Sequence, residues 1–167
     1  MLGKIALKQF QKMNNAISDT QRAALESGTV GFEASIFKGK PDWEGLLNTP
    51  KPALSAEEQS FLDNETEELC RLIDDWKIRD ELKDLQPEVW DYIKKHKFFG
   101  MIIPKSFGGL EFSAYAHSQV VGKIASRSGT VAATVMVPNS LGPGELLMRY
   151  GTDEQKNHYL PRLADGR

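Results

Sequence analysis

Cysteine is almost absent. Cys70 stands alone in 167 residues, so no internal disulfide framework can form and the chain fits a reducing compartment. Histidine is scarce too, and His96, His117, His158 and Cys70 lie too far apart in sequence for a dedicated zinc site. Neither sign of charge dominates: 21 Lys plus Arg against 23 Asp plus Glu leave a net charge of −2, which gives nucleic acid no electrostatic reason to bind. No apolar run reaches the ~20 residues that cross a bilayer, and the opening MLGKIALKQF lacks the apolar core and cleavage site of a signal peptide. The chain has no H-E-x-x-H, no G-x-S-x-G elbow and no Walker-type loop. It shows no internal repeat, no low-complexity run and no pair of period-two strands. At 40% apolar and 26% charged residues the composition is that of an ordinary globular domain. A soluble intracellular domain, alone or with an appendage, is expected.

What is present is uneven charge. Residues 57–68 carry six acids (Glu57, Glu58, Asp63, Glu65, Glu67 and Glu68) and no base, which reads as a solvated helix face. From Phe98 to Gly151 the only charges are Lys105, Glu111, Lys123, Arg127, Glu145 and Arg149, and none lies between Arg127 and Glu145. That uncharged run, punctuated by Gly129, Pro138, Gly142, Pro143 and Gly144, is too short for a membrane helix and reads as buried or partner-facing protein.

Apolar spacing predicts helices throughout. Leu2, Ile5, Phe10, Met13 and Ile17 suggest an amphipathic helix within 1–27, and the Gly- and Pro-rich 28–54 reads as an extended connector whose Phe32, Phe37 and Trp43 pack along something. Ser55-Ala-Glu-Glu58 is a capping box, followed by Leu62, Thr66, Leu69, Ile73 and Trp76 as one stripe of a long helix. Pro87 opens the next helix, lined by Val89, Trp90, Ile93 and Phe98 and closed by Gly100 with positive φ. Gly108-Gly109 reads as a tight turn rather than a phosphate cradle, and Ser113 caps a helix through Val120, Val121, Ile124 and Ala125. Thr130–Val137 has the β-branched content of a strand, but a buried helix ended by Pro138 is favoured. A further helix starts at Asn139 or Ser140 and ends at Gly151. Thr152-Asp-Glu-Gln155 opens a last short helix, interrupted at Pro161. The fold class expected is all-α, with roughly six helices, and the residues themselves form no catalytic constellation.

Three segments go beyond packing. Ile103-Pro-Lys-Ser-Phe-Gly-Gly-Leu-Glu-Phe-Ser113, Pro138-Asn-Ser-Leu-Gly142 and Tyr150-Gly-Thr-Asp-Glu-Gln-Lys-Asn-His-Tyr-Leu-Pro-Arg-Leu-Ala-Asp-Gly166 occur in this order. Together they resemble the amino-terminal helical domain of the acyl-CoA dehydrogenases, over roughly residues 54–167. Glu111 stands where that family's turn usually has a third glycine, which leaves the shape of the turn open. Gly39-Lys-Pro-Asp-Trp43 and Leu54-Ser-Ala-Glu-Glu-Gln-Ser-Phe-Leu-Asp63 look like the pre-domain of the long bacterial branch. Members of that branch typically carry an amino-terminal hydrophobic anchor. Residues 1–50 show none, which implies a trimmed chain or a departing member.

The resemblance implies an oxidoreductase of fatty-acid β-oxidation. It removes an α-proton and a β-hydride from fatty acyl-CoA to give the trans-2-enoyl product. FAD accepts the hydride, an electron-transfer flavoprotein or similar acceptor reoxidises it, and the assembly is a homo-oligomer. The implied location is the cytoplasm, with the parent at the inner face of the bacterial membrane. The division implied is an amino-terminal helix and connector (1–53) and a helical domain (54–167). A middle β-domain and a second helical domain follow beyond Arg167, carrying the catalytic glutamate and most of the flavin site. The chain is then a fragment without catalytic, cofactor-binding or metal-binding residues of its own. By match to the family, Ala133, Thr134, Val137 and Leu141 line the acyl tunnel. The bland alternative for all four is interhelical core. The alternative for the chain is a stand-alone helical interaction module without catalysis.

Overall fold

The computed structural model describes residues 3, 4, 7, 9, 18–28, 31–140 and 142–167. The chain divides into two compact units, Met1–Lys51 and Pro52–Arg167. Among the described residues it is helical, with no strand. The apolar positions expected to form the first amphipathic helix (Leu2, Ile5, Phe10, Met13 and Ile17) lie outside the described residues.

In the first unit, α1 (Asp19–Ser27) starts on Ser18, whose hydroxyl accepts from Gln21 N–H while the Gln21 side chain accepts from Ser18 N–H. The expected extended connector instead coils into α2 (Glu33–Phe37) and α3 (Trp43–Leu47). A turn at Gly39 with φ +69° separates them, and Asp42 caps α3 by accepting from Gly45 N–H at 2.9 Å. Of the three aromatics expected to pack, Phe32 sits against Trp43 with ring centroids 5.5 Å apart, whereas Phe37 is 91% exposed.

The second unit begins with α4 (Ala56–Asp63) and α5 (Glu65–Leu72), followed by a π-helical turn (Lys77–Leu82). The single long helix expected from Ser55 to Trp76 is therefore interrupted twice, and the helices outnumber the roughly six expected. After Leu72 the backbone turns extended at Ile73, with φ −71° and ψ 119°. The freed groups find distant partners: Arg127 Nη2 donates to the Ile73 carbonyl at 3.1 Å, and Asp74 N–H donates to Gln86 Oε1 at 2.8 Å. Thr66, Leu69 and Ile73 of the stripe are buried, but beyond the break Trp76 is left exposed.

Next come α6 (Pro87–Lys95), a 3-10 turn (Phe98–Gly100) and a second one (Lys105–Phe107). Gly100 is not a left-handed helix stop: that conformation belongs to Lys97, at φ +59°. A glycine is needed at position 100 because an added Cβ would lie 2.9 Å from Cα and Cβ of Ala164. Gly109 makes the tight turn expected, since a Cβ there would fall 2.1 Å from the Ile103 carbonyl oxygen. Glu111, in the place of the family's third glycine, itself stands in the left-handed region at φ +57°. The departure in sequence therefore keeps a backbone conformation that glycine takes at no steric cost.

The remaining helices are α7 (Ala114–Ala125), α8 (Gly129–Asn139), α9 (Pro143–Tyr150) and α10 (Asp153–Ala164). Ser113 caps α7, and Thr152 with Gln155 forms the capping box of α10. Helix α9 starts at Pro143, with Gly142 before it, rather than at Asn139 or Ser140. Helix α10 is not interrupted at Pro161 but runs through it. Proline removes the backbone donor that would serve the Asn157 carbonyl; separately, Arg162 Nη1 donates to the His158 carbonyl. The core joins Leu69, Ile73, Ile93, Phe98, Val120 and Val135 among others.

The acidic run is not solvated throughout, because Glu58 is buried. Its carboxylate closes the capping box of α4, accepting from Ser55 N–H at 2.7 Å, and also accepts from Ser113 N–H at 2.6 Å, at the start of α7. One side chain thus ties two helix N-termini together. The Ser113 and Ser55 bonds hold its pKa at about 2, down from 4.5.

Candidate functional site

Helix α8 occupies most of the uncharged run. Ser128 starts it, its hydroxyl accepting from Val131 N–H at 3.4 Å. Val131, Ala132, Val135 and Asn139 turn inward and are buried, packing against α7. An ordinary surface helix would carry charge on its other side. Here Thr130, Ala133, Thr134 and Val137, at the i, i+3, i+4, i+7 spacing of one helix face, make the outer stripe. Thr130, Ala133 and Val137 are exposed and Thr134 is half-buried. Val137 is 57% exposed and its neighbour Met136 39%. Thr134 Oγ1 donates to the Thr130 carbonyl at 2.9 Å, so this hydroxyl bonds within its own helix. Ala133, Thr134 and Val137 are therefore brought together on one outer face of α8. Leu141 lies outside the described residues.

Two clefts flank the helices that follow, and neither was anticipated. Between α9 and α10, Pro143, Leu146, Leu147, Tyr150 and Tyr159 line an apolar groove of about 450 Å³. Leu146 is 54% and Tyr150 79% exposed in it. The i, i+4 pair Leu146 and Tyr150 was the available signal. The second cleft, of about 360 Å³, is lined by Ile102, Phe112, His117, Asn139, Met148 and Arg149 among others. Burial pushes the His117 imidazole below its ordinary pKa, and its Nε2 has no hydrogen-bond partner among the described residues. The remaining soft ligand, Cys70, is half-buried with its thiol pushed up by desolvation, the opposite of an activated nucleophile.

The Gly108-Gly109 turn does not fit the phosphates of a flavin dinucleotide. The N–H groups of Phe107 and Gly109 donate to the Pro104 carbonyl, and that of Gly108 to Lys105. Those of Leu110, Glu111 and Phe112 donate to Gly100, Ile103 and Met101. With all six amides committed to the chain itself, the turn presents no cradle of free donors. Among the described residues no group of three or more His, Cys, Asp or Glu could hold a metal ion, and no helix is long and apolar enough to cross a membrane.

Comparison with known proteins gives this uncharged face a context. Residues 53–167 match the family model for the acyl-CoA dehydrogenase N-terminal domain. The chain belongs to the acyl-CoA dehydrogenase family. It is 26% identical to the human mitochondrial very long-chain specific acyl-CoA dehydrogenase over 170 residues, covering 98% of this chain and 26% of that protein. It is 30% identical over 159 residues to FadE10 of Mycobacterium tuberculosis, a probable acyl-CoA dehydrogenase, covering 90% of this chain and 24% of that one. The chain thus spans about a quarter of the length of the curated relatives it matches.

Among solved structures, the electron transferring flavoprotein of Acidaminococcus fermentans aligns with a TM-score of 0.59 at 20% identity, over 70% of this chain and 31% of that one. The prolyl acyl carrier protein oxidase AnaB aligns at 0.53 and 21% identity, over 68% of this chain and 31% of its own. At such identities these two likenesses speak for the fold alone.

Proposed function

We propose that this chain is the N-terminal part of a flavin-dependent acyl-CoA dehydrogenase, a cytoplasmic enzyme that oxidises fatty acyl-CoA to trans-2-enoyl-CoA in β-oxidation. Residues 1–53 form a pre-segment and 54–167 the helical domain. The rest of the enzyme adds a middle β-domain and a second helical domain, with the catalytic base and the FAD site. An electron-transfer flavoprotein or similar acceptor takes the electrons, and the whole enzyme is a homo-oligomer.

The role of this chain is to wall the fatty-acyl tunnel and keep water from it, with Ala133, Thr134, Val137 and Leu141 as the residues assigned to its lining. The observation that carries this reading is the outer stripe of α8, which is exposed yet uncharged. A fatty chain laid against it gains about 0.8 kcal/mol per methylene removed from water, whereas a charge on the wall would be desolvated without a partner. The groove of Leu146, Tyr150 and Tyr159 favours a second reading, a helical interaction module, because apolar surface rimmed by polar residues also marks a docking site.

Turnover separates the two. The full-length enzyme is expected to convert palmitoyl-CoA to its trans-2-enoyl product with an artificial electron acceptor and to purify with bound flavin. Residues 1–167 alone are expected to do neither. A full-length protein that binds no flavin and leaves acyl-CoA unchanged would contradict the proposal and leave the interaction module standing.

A further inference from the structure

Asn139 is a polar side chain in an apolar place, only 1% exposed, where an amide is costly unless its hydrogen bonds are made. They are made. Nδ2 donates to the Phe98 carbonyl at 2.6 Å and to the Val135 carbonyl at 2.9 Å, and Oδ1 accepts from Ile102 N–H at 3.3 Å. The first and last partners belong to a segment that is itself held on two sides. Leu110 N–H donates to the Gly100 carbonyl and Phe112 N–H to that of Met101, while Gly100 lies against Ala164.

The amide is attached to the weakest turn of α8. Pro138, inside the helix, has no N–H, so the Thr134 carbonyl loses its usual donor four residues on. That last turn carries Val137, two residues before Asn139. An apolar residue of similar size would fill the space, but only an oriented amide fixes where the turn points.

We propose that Asn139 is a positioning residue: by tying the last turn of α8 to Phe98 and Ile102, it sets where the uncharged outer face ends and so how deep the acyl tunnel runs. This rests on the tunnel reading above. Without the tie the tunnel floor has no single position, and discrimination between long and short acyl chains fades.

The test uses the full-length enzyme and the ratio of kcat/KM for palmitoyl-CoA to that for octanoyl-CoA. Asn139→Ala is expected to bring this ratio about tenfold closer to unity, the scale at which the fit of one methylene in an apolar pocket discriminates. Leu69→Ala, a cavity in the buried face of α5, is the control for lost stability and is expected to lower both values together. Asn139→Ser, whose shorter side chain cannot bridge the Phe98 carbonyl and Ile102 N–H together, is read in the same way if Asn139→Ala does not yield folded enzyme. An active wild type whose ratio is unchanged in the Asn139 variants, or changed equally by Leu69→Ala, overturns this inference alone. A wild type inactive on both thioesters overturns the functional reading, and the inference with it.

Discussion

Val137→Trp in the full-length enzyme is expected to lower kcat/KM for palmitoyl-CoA by about tenfold or more while leaving butyryl-CoA oxidation nearly unchanged. Val137 is 57% exposed, so the indole does not have to enter the core, and overpacking, which costs about 1–3 kcal/mol inside a packed interior, does not arise. What the ring occupies instead is the space in front of the outer stripe, one helical turn from Ala133. On the proposed tunnel, a long acyl chain would share that space, whereas a four-carbon chain would end short of it. Val135→Trp makes the contrast. Val135 has no exposed surface, and a tryptophan there is expected to lower stability and all activities together. Equal losses on both substrates for Val137→Trp would remove Val137 from the tunnel wall.

Glu58→Gln carries the largest expected effect on stability, about 2–3 kcal/mol at neutral pH. Bonds to an ionised acceptor contribute about 1.5–3 kcal/mol each, and the glutamine amide can serve only one of the two N–H groups, turning a donor toward the other. The effect depends on pH in a definite sense. The folded carboxyl ionises at about 2 and the unfolded one near 4.5. The stabilisation is therefore complete above pH 4.5 and is lost as pH falls through 2. Urea unfolding of the chain should show a wide gap between wild type and Glu58→Gln at neutral pH, narrowing between those two values. A gap independent of pH would mean that the carboxylate charge is not what joins α4 to α7.

What could be read in advance was local. The caps at Ser55, Ser113 and Thr152 depend on a side chain and a backbone group three residues apart, and spacing alone reveals them. What could not be read depends on partners far along the chain. The break at Ile73 is held by Arg127, 54 residues on, and the second bond of Glu58 reaches Ser113, 55 residues on. Gly100 reads as a left-handed stop until Ala164 is brought against it. Proline 161 reads as an interruption, yet the helix continues through it to Ala164. Phe37 and Trp76 are apolar residues that spacing and composition send inward and that the fold leaves outside.

The same division holds for the site. The absence of charge between Arg127 and Glu145 is plain in the sequence, but both faces of α8 are apolar, so periodicity cannot say which one turns outward. Packing against α7 decides it by taking Val131, Ala132 and Val135 inward. The groove at Leu146, Tyr150 and Tyr159 and the buried His117 Nε2 come from helices brought together by the fold, and no local motif announces them.

The most direct test of the central claim is to find what the outer face of α8 touches during turnover. A fatty acyl-CoA with a diazirine near its terminal carbon, bound to the full-length enzyme and irradiated, should label Thr130, Ala133, Thr134 or Val137, and an excess of palmitoyl-CoA should prevent it. Labelling confined to residues outside this chain, or unaffected by palmitoyl-CoA, would show that the uncharged face of α8 meets something other than the acyl chain.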